Sequence, residues 1–165
     1  MQPIIKINLD HEEIKLIDIP EDWKVDYLGG ASLGARIIYD YLSPGLDPLS
    51  SEMPILFLPG LLTGTLGPSV GRFVVCGRSP ATNLWGESNC GGFWGPELRK
   101  VGFDGVWIEG KADKPVYLWI KNGHVEIRDA RHLWGLDTDQ AKESIHEELK
   151  NRIAHIAIIA EQEKR

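Results

Sequence analysis

A β-rich α+β fold, with two sheets and three to four helices, follows from three features of this 165-residue sequence. Short strand-like apolar runs outnumber helical ones. Strands and helices do not alternate in the regular order of a doubly wound sheet. An Asn-Gly pair divides two alternating runs in the C-terminal half, as in a β-hairpin.

The elements follow in order. Ile4–Leu9 and Ile14–Ile19 alternate apolar with polar residues around Asp10–Glu13 and predict paired strands. Pro20-Glu21-Asp22 opens a helical stretch through Trp23 and Tyr27 to Leu28. Gly29-Gly30 interrupts it. A second helix, about Ala31 to Leu42, carries Leu33, Ile37, Ile38 and Tyr41 on one face, and Ser43-Pro44-Gly45 ends it. Short strands are expected at Ile55–Leu58 and Phe73–Cys76. Gly91–Val101 reads as a helix opened by glycine, and Gly105–Glu109 as a strand. Val116–Lys121 and His124–Asp129 flank Asn122-Gly123, which suits a type I′ turn because both central residues need positive φ. Asp137 and Gln140 have capping-box spacing and start a helix to about Asn151, with Ala141, Ile145 and Leu149 inward. His155–Ala160 is expected as a last buried strand, so that residues 1–160 form one domain and Glu161–Arg165 a solvated tail. Gly30-x-x-x-Gly34 and Gly91-x-x-x-Gly95 share an opening before a helix, and an internal duplication would account for the echo.

Composition narrows the function classes. The net charge is −6 and no Lys/Arg cluster breaks it, which disfavours nucleic acid. No run approaches the ~20 apolar residues of a membrane helix. Met1–Lys6 lacks the basic start and apolar stretch of a signal peptide, so a cytoplasmic location is expected. The two cysteines, Cys76 and Cys90, are too few for a disulfide framework or for the four thiolates of an iron–sulfur cluster. The histidines show no zinc spacing, and no nucleophile–base pattern supports an independent hydrolase.

Chemistry concentrates in Gly60–Gly95, which holds nine of the 18 glycines. That is roughly three times average glycine usage. Only Arg72, Arg78 and Glu87 are charged there. Bare backbone lets a ligand approach closely, and exposed N–H groups at such turns bind anions. Arg72 and Arg78 add planar donor forks, and Asn89 adds both donors and an acceptor. Together they suit a flat, hydrogen-bonding cofactor that carries phosphate. Tight turns in a compact β-rich domain explain the glycines equally well, since neither Gly-x-Gly-x-x-Gly nor a P-loop is present. Trp85 and Trp94, flanking Asn89, could stack on a ring or fill the core. Cys90 reads as a small buried thiol, and Cys76 as an inert strand residue.

Gly60-Leu-Leu-Thr-Gly-Thr65, Gly71-Arg72, Ser79-Pro80, Ser88-Asn89-Cys90-Gly91-Gly92-Phe93-Trp94-Gly95-Pro96-Glu97-Leu98-Arg99 and Gly102-Phe103-Asp104-Gly105 follow one another at a familiar spacing. In order and spacing they resemble the N-terminal domain of tungsten-containing aldehyde:ferredoxin oxidoreductases. The resemblance extends through Leu28-Gly29-Gly30 upstream and Ile108–Ala112, Ile127–Ala130 and Leu133–Gly135 downstream. It implies a tungsten ion held by two molybdopterin-type pterin cofactors, bridged through a magnesium ion, with no tungsten ligand from the protein. It implies that Arg72, Asn89, Gly91 and Gly92 contact the pterin, with Arg78 ranked behind them. The Asn89 backbone carbonyl would help hold magnesium, and no residue of this chain would be catalytic. The implied reaction oxidises an aldehyde to a carboxylic acid and passes electrons through a 4Fe-4S cluster to ferredoxin.

The cluster cysteines and substrate pocket of that family belong to later domains, so this chain alone is expected to be incomplete and inactive. A fragment, a split enzyme with a partner subunit, and a non-catalytic interaction module that keeps the fold are the readings this leaves. A domain built to be covered would bare an apolar face, which predicts homo-oligomers or dye binding.

Overall fold

The computed structural model describes residues 1–159. β1 (Ile4–Asn8) and β2 (Glu13–Ile17) form the expected hairpin, Ile4 opposite Ile17 and Asn8 opposite Glu13. α1 (Glu21–Tyr27) stops at Leu28, which turns left-handed at φ 56°, and α2 (Gly30–Tyr41) follows at once. β3 (Ile55–Pro59), β4 (Phe73–Arg78) and β5 (Trp85–Cys90) come next, then α3 (Trp94–Lys100) and β6 (Gly105–Glu109). The hairpin β7 (Val116–Lys121) and β8 (His124–Asp129), a 3₁₀ turn at Arg131–Leu133 and α4 (Thr138–Leu149) complete the described elements. Two sheets and four α-helices make the fold α+β.

The main sheet has the order β2-β1-β6-β3-β4-β5, and β7-β8 stands as a second sheet. Strand alternation sorts the core into two layers. Ile4, Leu56, Leu58, Val74, Cys76 and Trp107 face α2, where Leu33, Ile37 and Ile38 meet them. Ile5, Ile7 and Val106 face the other way, towards Leu98 of α3 and the apolar side of the β7-β8 hairpin. Each such fully buried Ile or Leu contributes about 1.5–3 kcal/mol.

The glycine echo has a physical cause in packing. A Cβ on Gly34 would lie 2.6 Å from the Cys76 Sγ, and one on Gly95 would lie 3.3 Å from Phe73 and Thr63. Each glycine therefore lets its helix close down on the sheet, α2 on one face and α3 on the other. The strand order also reads symmetrically if each β-hairpin, helix and strand unit is exchanged for the other. The sense of pairing differs, however: β1 runs parallel to β6, whereas β4 runs antiparallel to β3.

Local expectations need correction, and one strand is not among them. The helix expected from Gly91 begins at Trp94, because Gly92 at φ 99° cannot enter a right-handed helix. The polar run Trp85–Cys90 is a strand: it lies at the sheet edge, where its side chains meet solvent and need no apolar alternation. The last expected strand does not form at His155–Ile159. Those residues are irregular and half-buried to exposed, with no ladder partner among the described residues, and Ala160 lies outside them. Leu149 is half-buried, in the last turn of α4, which Lys150 closes in a left-handed conformation at φ 49°.

Candidate functional site

The Asn89–Gly92 turn, the Gly60–Gly71 loop and the start of α2 meet at one end of the main sheet. Leu61 N–H donates to the Leu28 carbonyl at 3.0 Å, and Gly29 bridges Gly60, so the α1–α2 corner is tied to the loop. α2 opens here without a side-chain cap and without an acid in its first turn. Its leading N–H groups leave the positive end of the helix dipole uncompensated. On the other side, a Cβ at Gly71 would come within 2.8 Å of the Gly92 carbonyl oxygen. Gly71 is therefore required for the loop to rest against the Gly91-Gly92 turn.

Arg72 and Asn89 share this end and one face. Asn89 stands opposite Val74 in the β4–β5 ladder, and opposed residues project to the same side. Continued one residue beyond β4, the alternation sends Arg72 to that side too. Both side chains are exposed, and neither takes a hydrogen bond or ion pair from the described residues. Between them the turn is open: a Cβ on Gly91 or Gly92 would meet nothing within 4 Å. The loop glycines are thus not sealed in the interior, and the arginine and asparagine do not face apart. Leu28 at the α1–α2 corner, Leu61, Leu62 and Leu66 of the loop, and Phe93 just past the turn are exposed.

Arg78 stands elsewhere. It ends β4, about 20 Å along the strand from Arg72 at ~3.4 Å per residue. Its guanidinium donates to the carbonyls of Leu46 at 2.8 Å and Asn83 at 3.1 Å, which ties two loops together. Its expected part in cofactor contact has no geometric support, because its donor fork is engaged by backbone at the wrong end of the sheet.

The aromatic and thiol candidates divide between the layers. Trp94 packs against Phe73 and Phe57, with ring centroids 4.6 and 5.8 Å apart, and belongs to the core. Trp85 lies against α2 at Gly34 and donates to the Glu87 carboxylate at 2.9 Å. Cys90 is half-buried opposite Phe73, on the face away from Asn89. Burial, with Glu87 adding its charge, pushes the Cys76 thiol up to about 12, which keeps it protonated and unreactive. Among the described residues no three His, Cys, Asp or Glu side chains converge as metal ligands. A cation at the open turn would therefore need backbone oxygens and groups brought by its ligand.

Sequence reading gave no role to Arg99, Asp104 or Thr63. Arg99 Nε donates to Asp104 Oδ1 at 2.7 Å, and its Nη1 donates to the carbonyls of Gly60, Leu61 and Thr63. Asp104 is 2% exposed and also accepts from the Gln2 N–H at 2.7 Å. The available signal was an arginine in a glycine-bordered helix, five residues before an acid in an otherwise apolar stretch.

At the opposite end of the same face lies a second polar cluster. Glu109 accepts from Tyr41 at 2.8 Å, Trp107 at 3.0 Å and Asn8 at 3.4 Å, and pairs with Lys6 at 3.1 Å. Burial raises the Glu109 carboxyl, but the hydrogen bonds from Tyr41, Lys6 and Trp107, with the Lys6 charge, hold it below its ordinary value. Burial, and next Glu109, push the Tyr41 hydroxyl up to about 12.

The comparisons with known proteins agree with this architecture. The family model described as "Aldehyde ferredoxin oxidoreductase, N-terminal domain" matches residues 4–164. Tungsten-containing aldehyde ferredoxin oxidoreductases of Thermococcus kodakarensis and Pyrococcus furiosus are each 38% identical over 155 residues, 94% of this chain and 26% of theirs. An aliphatic sulfonate oxidoreductase, WOR-like subunit, from Pyrococcus furiosus is 35% identical over 156 residues, 90% of this chain and 25% of its own length. Among solved structures, the active site complex BamBC of benzoyl coenzyme A reductase superposes with a TM-score of 0.89 at 36% identity. It covers 92% of this chain and 23% of that one. The chain thus spans about a quarter of the length of the relatives it matches.

Proposed function

The chain belongs to the aldehyde ferredoxin oxidoreductase N-terminal-domain family, and from that membership we propose that it is the cofactor-seating part of a tungsten-dependent oxidoreductase. The observation that carries this reading is the open Gly91-Gly92 turn between exposed Arg72 and Asn89 on one face of the sheet. A phosphorylated pterin fits that surface chemically. Bare backbone admits a flat ring, Arg72 offers a fork for phosphate, and Asn89 pairs with a heterocycle edge. The Asn89 backbone carbonyl, on an edge strand, is our proposed protein ligand for magnesium. When bound, such a cofactor supplies two-electron exchange with an aldehyde. This chain's own residues orient it and hold its phosphate charge.

The relatives are named for an aldehyde, an aliphatic sulfonate and benzoyl coenzyme A, yet resemble this chain to a similar degree. That supports a domain that seats the cofactor and leaves substrate choice to other parts. In our reading those parts, later domains or a partner subunit in the cytoplasm, also hold the iron–sulfur cluster that passes electrons to ferredoxin. The exposed Leu28, Leu61, Leu62, Leu66 and Phe93 are the surface they would cover.

Co-expression with the adjoining part of the enzyme in tungstate-supplemented medium tests this. Tungsten and pterin should co-purify with the complex and fall at least about tenfold in Arg72→Met, an interaction of some 1.4 kcal/mol or more. A complex without metal would favour a non-catalytic interaction module. Full loading of Arg72→Met and Asn89→Ala would remove the proposed contacts.

A further inference from the structure

We propose that Arg99 and Thr63 are positioning residues that hold the Gly60–Thr63 turn and, through it, the backbone of Arg72. The proposal rests on the reading of Arg72 as a cofactor contact. Arg99 lies on α3, on the face of the sheet opposite the proposed contacts, and reaches the loop from beneath. Its anchor is Asp104, which is buried, accepts from the Gln2 N–H and sends its own N–H to the Pro3 carbonyl at 3.0 Å. From that fixed point the guanidinium gathers three carbonyls of one turn, those of Gly60, Leu61 and Thr63.

Thr63 passes the constraint on. Its buried hydroxyl accepts from the Gly60 N–H at 3.0 Å and donates to the Arg72 carbonyl at 2.8 Å, while the Thr63 N–H donates back to the Gly60 carbonyl at 3.0 Å. The relay from Asp104 to Arg72 is therefore an unbroken line of hydrogen bonds. Every link except the hydroxyl uses either backbone or a charged donor. A charge-assisted fork on three carbonyls restrains a turn that few apolar contacts hold, since Leu61, Leu62 and Leu66 point to solvent.

Thr63 separates this role from simple core filling, because its methyl faces α3, within 3.3 Å of where a Cβ on Gly95 would lie, while its hydroxyl makes the relay. Thr63→Ser keeps the hydroxyl and loses the methyl, and Thr63→Val does the reverse. Amide hydrogen exchange and ¹⁵N relaxation on the full 165-residue chain decide between them. Thr63→Val should speed exchange at Gly60, Thr63 and Gly64 by about tenfold or more, leaving Leu56 and Val106 unchanged. It should also drop the Arg72 amide order parameter below about 0.6. Thr63→Ser should keep wild-type values. Arg99→Met/Asp104→Asn, which removes the orphaned carboxylate along with the fork, should loosen the same amides. The idea is overturned if Thr63→Ser loosens the loop and Thr63→Val does not, or if the loop loosens while Arg72 stays ordered. No cofactor enters this measurement, so failure of metal loading in the co-expressed complex bears on the cofactor reading alone.

Discussion

The two ends of the α2-side face of the main sheet carry polar side chains in opposite states. At the Glu109 end, Lys6, Asn8, Tyr41 and Trp107 converge on one carboxylate, and Lys6 Nζ also lies 4.4 Å from the Trp107 ring centre and 4.6 Å from that of Tyr41. Every acceptor there has a donor from the same chain. At the Gly91 end, the side chains of Arg72 and Asn89 take no partner from the described residues and the turn beside them is bare. A closed network specifies how β1, β6 and α2 sit together. An unpaired one retains its hydrogen-bonding capacity for something that arrives later. One end therefore reads as structure, and the other is the seat we propose.

The largest effect that would sharpen this contrast is loss of stability at the closed end. Glu109→Ala leaves Lys6 and Tyr41 without their shared acceptor and should cost about 3 kcal/mol, measured by urea unfolding. Arg72→Met, at the open end, should change the same midpoint by no more than ~0.5 kcal/mol. Equal losses at both ends would break the comparison. Gly34→Ala comes next, at roughly 1–3 kcal/mol from forcing α2 off Cys76 and Leu58, and a neutral result would show that the helix can shift freely.

The pH dependence is smaller and has a definite sign. Glu109 is held below its unfolded value, so its contribution is present above the ordinary carboxylate range, near ~4.3. That contribution is lost as pH falls through the folded value. The stability gap between wild type and Glu109→Gln should therefore narrow as acid is added. Tyr41 runs the other way: raised to about 12, its contribution is complete below an unfolded value of ~10 and disappears as pH climbs through 12. A gap that stays constant through the acid limb would mean that Glu109 is not held by its partners.

What the chain encodes locally was legible without coordinates. Asn122 and Gly123 both take positive φ, 50° and 79°, and set the β7–β8 hairpin at the expected residues. Asp137 accepts from the Gln140 N–H at 2.8 Å while the Gln140 side chain accepts from the Asp137 N–H, and α4 begins there. Apolar spacing marked the buried face of α2, and the glycine window with Arg72 and Asn89 marked the proposed seat. For the hairpin turn and the helix cap the partners lie within a few residues, so chain chemistry alone sets them.

Tertiary structure decided the rest, because the partners are distant in sequence. Strand β5 exists only because β4 offers an edge, and its own residues carry no apolar alternation. The His155 stretch has the composition of a strand but joins no ladder among the described residues, and the His155 ring instead stacks on Phe93 with centroids 5.5 Å apart. Arg78 and Arg72 look alike in sequence, yet one binds the Leu46 carbonyl from 32 residues away and the other is left open. Arg99 meets Gly60 across 39 residues. Composition and short-range pattern thus determined which groups were on offer, while the fold chose which of them would be satisfied within the chain and which would stay available at its surface.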